Sequence, residues 1–169
     1  MVKKHYSAKT SIKQIPAGFN IVKNHFGWKP YSKNFDVGGG KYDLMSEALA
    51  KEKVRNYIYD PYNRDSIHNR LIWKYIEEQK ADTATLFNVL NVIKDEMFQL
   101  QAIMLAFQGL KDNGVCYIRS MYKNPSGKSG FTKSGTFQHC MTHKQYAEIV
   151  KKVFPIVELK HGLIIAKKK

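Results

Sequence analysis

Only two cysteines occur in 169 residues, Cys116 and Cys140, too few for a disulfide framework, so the fold has to rest on an apolar core. No apolar run approaches the roughly 20 residues that cross a bilayer, and no leader-like pattern opens the chain. A cytoplasmic protein with no membrane partner is the resulting expectation. Acidic residues are scarce: 14 Asp and Glu stand against 28 Lys and Arg, a formal charge of +14. That imbalance favours an acidic partner, nucleic acid being the commonest; the competing explanation is a lysine-rich composition that serves solubility. Apolar residues are not scarce. At 43% hydrophobic and 12% aromatic, the chain has enough for one folded domain without metal or disulfide support.

The most informative stretch is residues 34–43, Asn-Phe-Asp-Val-Gly-Gly-Gly-Lys-Tyr-Asp, an apolar approach followed by an acid and three glycines, with a helical pattern directly after it. Gly38, Gly39 and Gly40 let the backbone adopt positive φ and approach a ligand closely, as in a nucleotide site at the carboxyl end of a strand. A dinucleotide fingerprint would need glycine at position 43, where Asp43 stands and would repel a pyrophosphate. A cationic nucleoside cofactor such as S-adenosylmethionine, which has no phosphate, suits Asp36 and Asp43 better. The spacing Asp36-x-Gly38-x-Gly40 resembles the first motif of class I S-adenosylmethionine-dependent methyltransferases, with Tyr42 where those enzymes carry a third glycine. A plain glycine-rich turn is the structural alternative.

Taken in order, residues 1–33 form a basic, aromatic arm (Lys3, Lys4, His5, Lys9, Lys13, Lys23, Trp28, Lys29) with a short helix near 16–26. Lysines interleaved with aromatics suit a nucleic-acid backbone and unstacked bases, while Ile15, Phe19, Val22 and Phe26 suit packing against the remaining domain, 34–169. After a helix over 43–53, residues 55–60 read as a second strand ending in Asp60, about 20 residues beyond the glycines, where a carboxylate can accept both ribose hydroxyls. The alternative there is an ordinary turn, Asp60-Pro-Tyr62-Asn63. An amphipathic helix over 65–79 presents Ile67, Leu71, Ile72, Tyr75 and Ile76, and a strand at 81–93 runs into a loop carrying Asn88 and Asn91. The short interval between Asp60 and that strand leaves one edge strand of the usual sheet missing. A helix over 95–109 has Met97, Leu100, Ile103, Met104 and Phe107 as core candidates and ends at residues 112–114. Then come a strand at 115–119, a glycine-, serine- and lysine-rich loop at 123–134, a helix at 142–154 and a hairpin of 156–159 with 163–166. The alternation is that of an α/β doubly wound, mostly parallel sheet closed by an antiparallel pair.

With Asp36-Val-Gly-Gly-Gly-Lys-Tyr-Asp43, Tyr59-Asp-Pro-Tyr-Asn63, Thr85-Leu-Phe-Asn-Val-Leu-Asn-Val-Ile93 and Ser134-Gly-Thr-Phe-Gln138 in this order, the chain resembles small bacterial and phage class I methyltransferases over about residues 34–166. It is most similar to those associated with DNA phosphorothioation. The resemblance implies a Rossmann-like sheet, S-adenosylmethionine as cofactor, and a cradle from Gly38 to Gly40 with Asp36, Tyr42 and Tyr62 beside it. It further implies a ribose contact from Asp60, and a loop at Asn88 and Asn91 beside the transferring methyl. His139 is a candidate base, its alternative being a place in a helix-capping loop.

Methyl transfer from a sulfonium is an in-line displacement in which alignment supplies much of the rate. Cytosine carbon methylation is set aside because neither cysteine has the proline-flanked context of its nucleophile. The amide oxygens of Asn88 and Asn91 can accept from an amine or hydroxyl acceptor. His139, Cys140 and His143 lack a fourth ligand nearby in sequence, so no metal site is expected. The expectation is therefore a methyltransferase acting on nucleic acid, DNA or RNA. A non-catalytic nucleic-acid-binding accessory protein that keeps the fold is the main alternative, and an oxidoreductase the third.

Overall fold

A computed structural model describes residues 10–121 and 126–169. Lys3, Lys4, His5 and Lys9 of the basic arm, and Lys123 of the loop, lie outside the described residues. Six strands form one sheet in the order β2 (Arg55–Tyr59), β1 (Lys33–Val37), β3 (Ala81–Phe87), β4 (Leu110–Arg119), β8 (Leu163–Lys167), β7 (Ile156–Lys160). The first four are parallel, and β8 and β7 add an antiparallel hairpin. The chain crosses from β2 through α3 (Ser66–Gln79) to β3 on the far side of β1, so β2 is the sheet edge. A separate two-stranded ribbon pairs β5 (Gly130–Phe131) with β6 (Phe137–Gln138), inside and just beyond the stretch expected to be a plain loop. Among the described residues no helix is long and apolar enough to cross a membrane.

Strand alternation sorts the core into two layers. Phe35, Leu86, Ile118 and Ile164 face α3, α4 (Glu96–Gly109) and α5 (His143–Val150). Phe87, Tyr117, Leu163 and Ile165 face α1 (Ala17–His25) and α2 (Leu44–Lys51) with Phe19, Val22, Met45 and Leu49. Phe19 and Val22 thus pack into the core, whereas Ile15 is 39% exposed.

Four local expectations are corrected. Ile67 and Leu71 are each 61% exposed, because α3 turns Asn69, Ile72, Trp73 and Ile76 inward and Asn69 is needed beneath the end of β2. Met97 and Met104 face outward, the inner stripe of α4 being Gln99, Ile103 and Ala106. Residues 112–114 do not separate helix from strand: β4 starts at Leu110, and residues 111–114 bulge between the Ala81↔Leu110 and Thr83↔Val115 pairs. Finally, α5 stops at Val150 rather than Phe154.

Gly18 allows α1 to lie on the ring of Phe87, since a Cβ there would stand 2.5 Å from two ring carbons. We expect Gly18→Ala to lower the urea midpoint by an amount equivalent to about 1–3 kcal/mol, as overpacking does. Gly130→Ala, with open space around it, should leave the midpoint unchanged.

Candidate functional site

The parallel sheet places the ends of β1 and β2 side by side, Val37 opposite Tyr59, so the loops that follow must share one crevice. Gly38 and Gly40 adopt φ of +76° and +77°. A Cβ on Gly38 would meet Val89 at 2.7 Å, one on Gly39 would meet Asp36 Oδ2 at 2.4 Å, and one on Gly40 would meet Ser11 Oγ at 2.5 Å. The glycines are therefore required by three walls at once. One is the loop after β3, one is the carboxylate below, and the third is the N-terminal segment, whose Ser11 Oγ also accepts from Lys41 N at 3.0 Å.

Asp60, 4% exposed, holds the two loops together. Its Oδ2 accepts from Gly40 N at 2.9 Å and Asn63 Nδ2 at 3.1 Å, and its Oδ1 accepts from Tyr62 N and Asn63 N, both at 2.9 Å. Four bonds fill a carboxylate's usual acceptor capacity, so the turn reading of Asp60 is correct as structure; a ribose contact requires one of these donors to yield. Asn69 fixes the Asp60 backbone in both directions, accepting from its N–H and donating to its carbonyl at 2.9 Å each. Arg64 closes the assembly, donating through Nε to Gly40 O and through Nη2 to Asp43 Oδ1, both at 2.8 Å. This pairing compensates Asp43, and the repulsion of pyrophosphate expected from that residue loses its force.

Asp36 is 3% exposed beneath the glycine loop. Its Oδ1 accepts from Thr85 Oγ1 at 2.9 Å, and the Thr85 hydroxyl in turn accepts from Asn34 Nδ2 at 3.0 Å. Asn34 Nδ2 also donates to Asn56 Oδ1 at 2.8 Å, while Thr83 Oγ1 donates to Asn34 Oδ1 at 2.9 Å. Asn56 Nδ2 lies 3.4 Å from Asp36 Oδ2. A polar ladder thus replaces apolar packing on one face of β1. Burial pushes the Asp36 carboxyl up to about 6, against the opposing hydrogen bonds from Thr85 and Asn56.

A cavity of about 750 Å³ opens at this end of the sheet. Asp36, Gly38, Gly39, Gly40, Tyr42, Asp60, Tyr62 and Asn88 all line it. Asn88 sits at the end of β3 with φ of +59°, its N–H donating to Arg119 O at 2.7 Å. Asn91 and His139 are not brought to the wall. Asn91, 5% exposed, donates through Nδ2 to Gln138 Oε1 at 2.8 Å. His139 bonds through Nε2 to the carbonyls of Ile93 and Lys94 at 2.9 and 3.1 Å, which makes that nitrogen a donor and commits it to stapling the β5–β6 ribbon onto the loop after β3. The same loop is held from below by Gln99, whose Nε2 donates to Leu90 O and Ile93 O at 2.8 and 3.1 Å.

Sequence reasoning missed the wall built by Thr10, Ser11, Ile12, Gln14 and Pro16, and the part of α4 that contributes Phe98 and Leu105. The basic composition of the first 33 residues obscured the former. For Phe98 the available signal was an aromatic off the apolar stripe of its helix.

The same architecture occurs in a 1,6-didemethyltoxoflavin N1-methyltransferase from Burkholderia thailandensis, solved with 1,6-didemethyltoxoflavin and S-adenosylhomocysteine bound. It is 13% identical, with 99% of this chain and 80% of that one covered at a TM-score of 0.63. This is the class I methyltransferase fold. Two further methyltransferases share it. One is an S-adenosylmethionine-dependent enzyme from Methanosarcina mazei, 16% identical over 93% of this chain and 99% of that one at a TM-score of 0.60. The other is a TehB-like enzyme from Corynebacterium glutamicum, 12% identical over 93% and 89% at 0.54. No protein-family model and no curated protein sequence matches the chain. Nothing in these methyltransferase neighbours concerns DNA phosphorothioation or phage.

The raised Asp36 pKa has a stability consequence with a defined sign. The cost of holding this carboxylate ionised in the fold is absent below about pH 4, grows as pH rises through about 6 and is complete above that. Asp36→Asn should therefore stabilise the ligand-free protein at pH 8 by on the order of 2–3 kcal/mol, and the gain should vanish near pH 4. Urea unfolding of both proteins across this range measures it; a difference independent of pH contradicts it.

Proposed function

We propose that the chain is an S-adenosylmethionine-dependent methyltransferase whose acceptor is a nucleic acid. The observation that carries the reading is the cavity under the glycine loop on a class I methyltransferase fold. Its charge fits a cationic cofactor: Asp36, Asp60 and Asp95 line it, against Lys94 as the one cation among the described lining residues. S-adenosylmethionine supplies an electrophilic sulfonium methyl. The backbone from Gly38 to Gly40, with Asp36 beneath and Asp60 beside it, would hold the cofactor, and Tyr42, Tyr62 and Asn88 would flank it. Held in a left-handed conformation just after β3, Asn88 lines the cavity and would accept from an amine or hydroxyl through its amide oxygen and align it for displacement.

Ile12, Tyr62 and Phe98 line the cavity yet are 57%, 45% and 53% exposed, an apolar mouth suited to a flat heteroaromatic ring. A nucleobase is such a ring, and the charge of +14 supports its presentation on a polyanion. The second reading is a free heteroaromatic molecule, favoured by the same mouth and by the substrate of the Burkholderia enzyme.

Calorimetry with S-adenosylhomocysteine and with NAD tests the cofactor. Saturable binding of the former is expected, weakened about tenfold by Asp60→Asn and abolished by Gly38→Val with far-UV circular dichroism retained. Binding of NAD alone contradicts the reading. A labelled-methyl assay over DNA, RNA and small heteroaromatics then separates the two acceptors.

A further inference from the structure

Around the rim of the sheet, three elements converge beyond the cavity. Ile118 of β4 pairs with Ile164 of β8, so the tip of the β7–β8 hairpin, Lys160-His161-Gly162, stands beside Arg119 at the carboxyl end of the parallel strands. The Arg119 guanidinium donates to Gly162 O at 3.2 Å and holds this tip in place. His25, at the end of α1, stacks on His161 with ring centroids 4.0 Å apart and planes within 6°, and Phe26 meets His161 edge-on at 5.7 Å. Both imidazoles and Lys160 are exposed. Among the described residues none of His25, Arg119, Lys160 and His161 forms an ion pair; the neighbouring acid, Glu158, pairs with Lys167 at 3.7 Å. α1, about 13 Å long, runs from its N-cap Pro16 on the cavity wall to His25, and Arg119 adjoins the same wall through its carbonyl, which accepts from Asn88 N at 2.7 Å.

We infer that this rim is a docking surface for single-stranded nucleic acid, with Arg119 and Lys160 meeting the phosphodiester backbone and the His25–His161 stack offering a platform to a base. The inference rests on the nucleic-acid reading of the acceptor and places its grip on residues that the composition of the arm and loop did not indicate. The chemistry is that of non-sequence-specific strand binding: fixed cations along a path, and an aromatic face that accepts any base. An ordered Arg and a hairpin held by backbone pairing present the groups with little freedom left to lose on binding. A polyanion running along α1 from this rim reaches the apolar mouth of the cavity, which couples docking to delivery of one base.

The test is fluorescence anisotropy of short labelled DNA and RNA single strands against salt, with the double variant Lys160→Gln/His161→Asn. Asn suits position 161 because its φ is +51°. The variant should lose about tenfold in affinity for both strands and flatten the salt slope by about 0.7. Lys74→Gln, on the opposite layer, should change neither. An unchanged S-adenosylhomocysteine affinity in the double variant shows that its fold and cofactor site are intact. Oligonucleotide affinity unaffected by the double variant overturns the inference, as does tighter binding to vesicles of mixed phosphatidylserine and phosphatidylcholine than to either strand. If methyl label still enters nucleic acid in that case, the acceptor reading stands and only this surface is wrong. If label enters only small heteroaromatics, the acceptor reading falls with it.

Discussion

Four hydrogen bonds to one buried carboxylate, that of Asp60, set the geometry on which the site depends. Adjacent parallel strands end together, but nothing in strand pairing makes their loops agree. Asp60 makes them agree by accepting Gly40 N from one loop and Tyr62 N, Asn63 N and Asn63 Nδ2 from the other. Hydrogen bonds to a charged group are worth on the order of 1.5–3 kcal/mol each, and burying the carboxylate without them would cost several kcal/mol. The loops and the acid therefore form together. Asn69 and Arg64 carry the constraint outward, to the first turns of α3 and to Asp43 at the start of α2.

Beneath that arrangement the protein gives up apolar packing. Asn34, Asp36, Thr83, Thr85 and Asn56 form a hydrogen-bonded ladder across three strands in a layer where a parallel sheet ordinarily buries aliphatic side chains. A buried ionisable group at its end is destabilising, and such costs gather where a ligand must be met by charge. Asp36 lies directly against the glycine whose missing Cβ makes room for it.

Much of the fold was legible because its signals are local. Glycines after a strand, an acid about 20 residues later and alternating apolar runs identify the parallel half of the sheet, and the Lys160-His161-Gly162 turn identifies the hairpin. What escaped notice depends on partners distant in sequence. Nothing near Asn69 in the sequence marks it as inward-facing until Asp60 is placed above it, and Ile67 and Leu71 read as core for that reason. The role of Gln99 likewise shows only when the loop at 90–93 descends onto it. His139, near a motif-like segment, reads as a base, yet its ring nitrogen is committed to two backbone carbonyls. Asp43 shows the limit of charge arguments made along the chain: its pairing with Arg64 spans 21 residues and alters the electrostatics that its position alone suggests. The basic rim formed by His25, Arg119, Lys160 and His161 was illegible for the same reason, being contributed by three separate elements.

The most direct measurement of the central claim is a crystal structure of the protein grown with S-adenosylhomocysteine. The account predicts the ligand in the cavity against Gly38, Gly39 and Gly40, with its ribose hydroxyls at Asp60 and the Asn63 side chain displaced from that carboxylate. Density for the ligand elsewhere on the molecule, or a glycine loop that remains closed on Ser11 and Val89 with the cavity empty at saturating ligand, would contradict it.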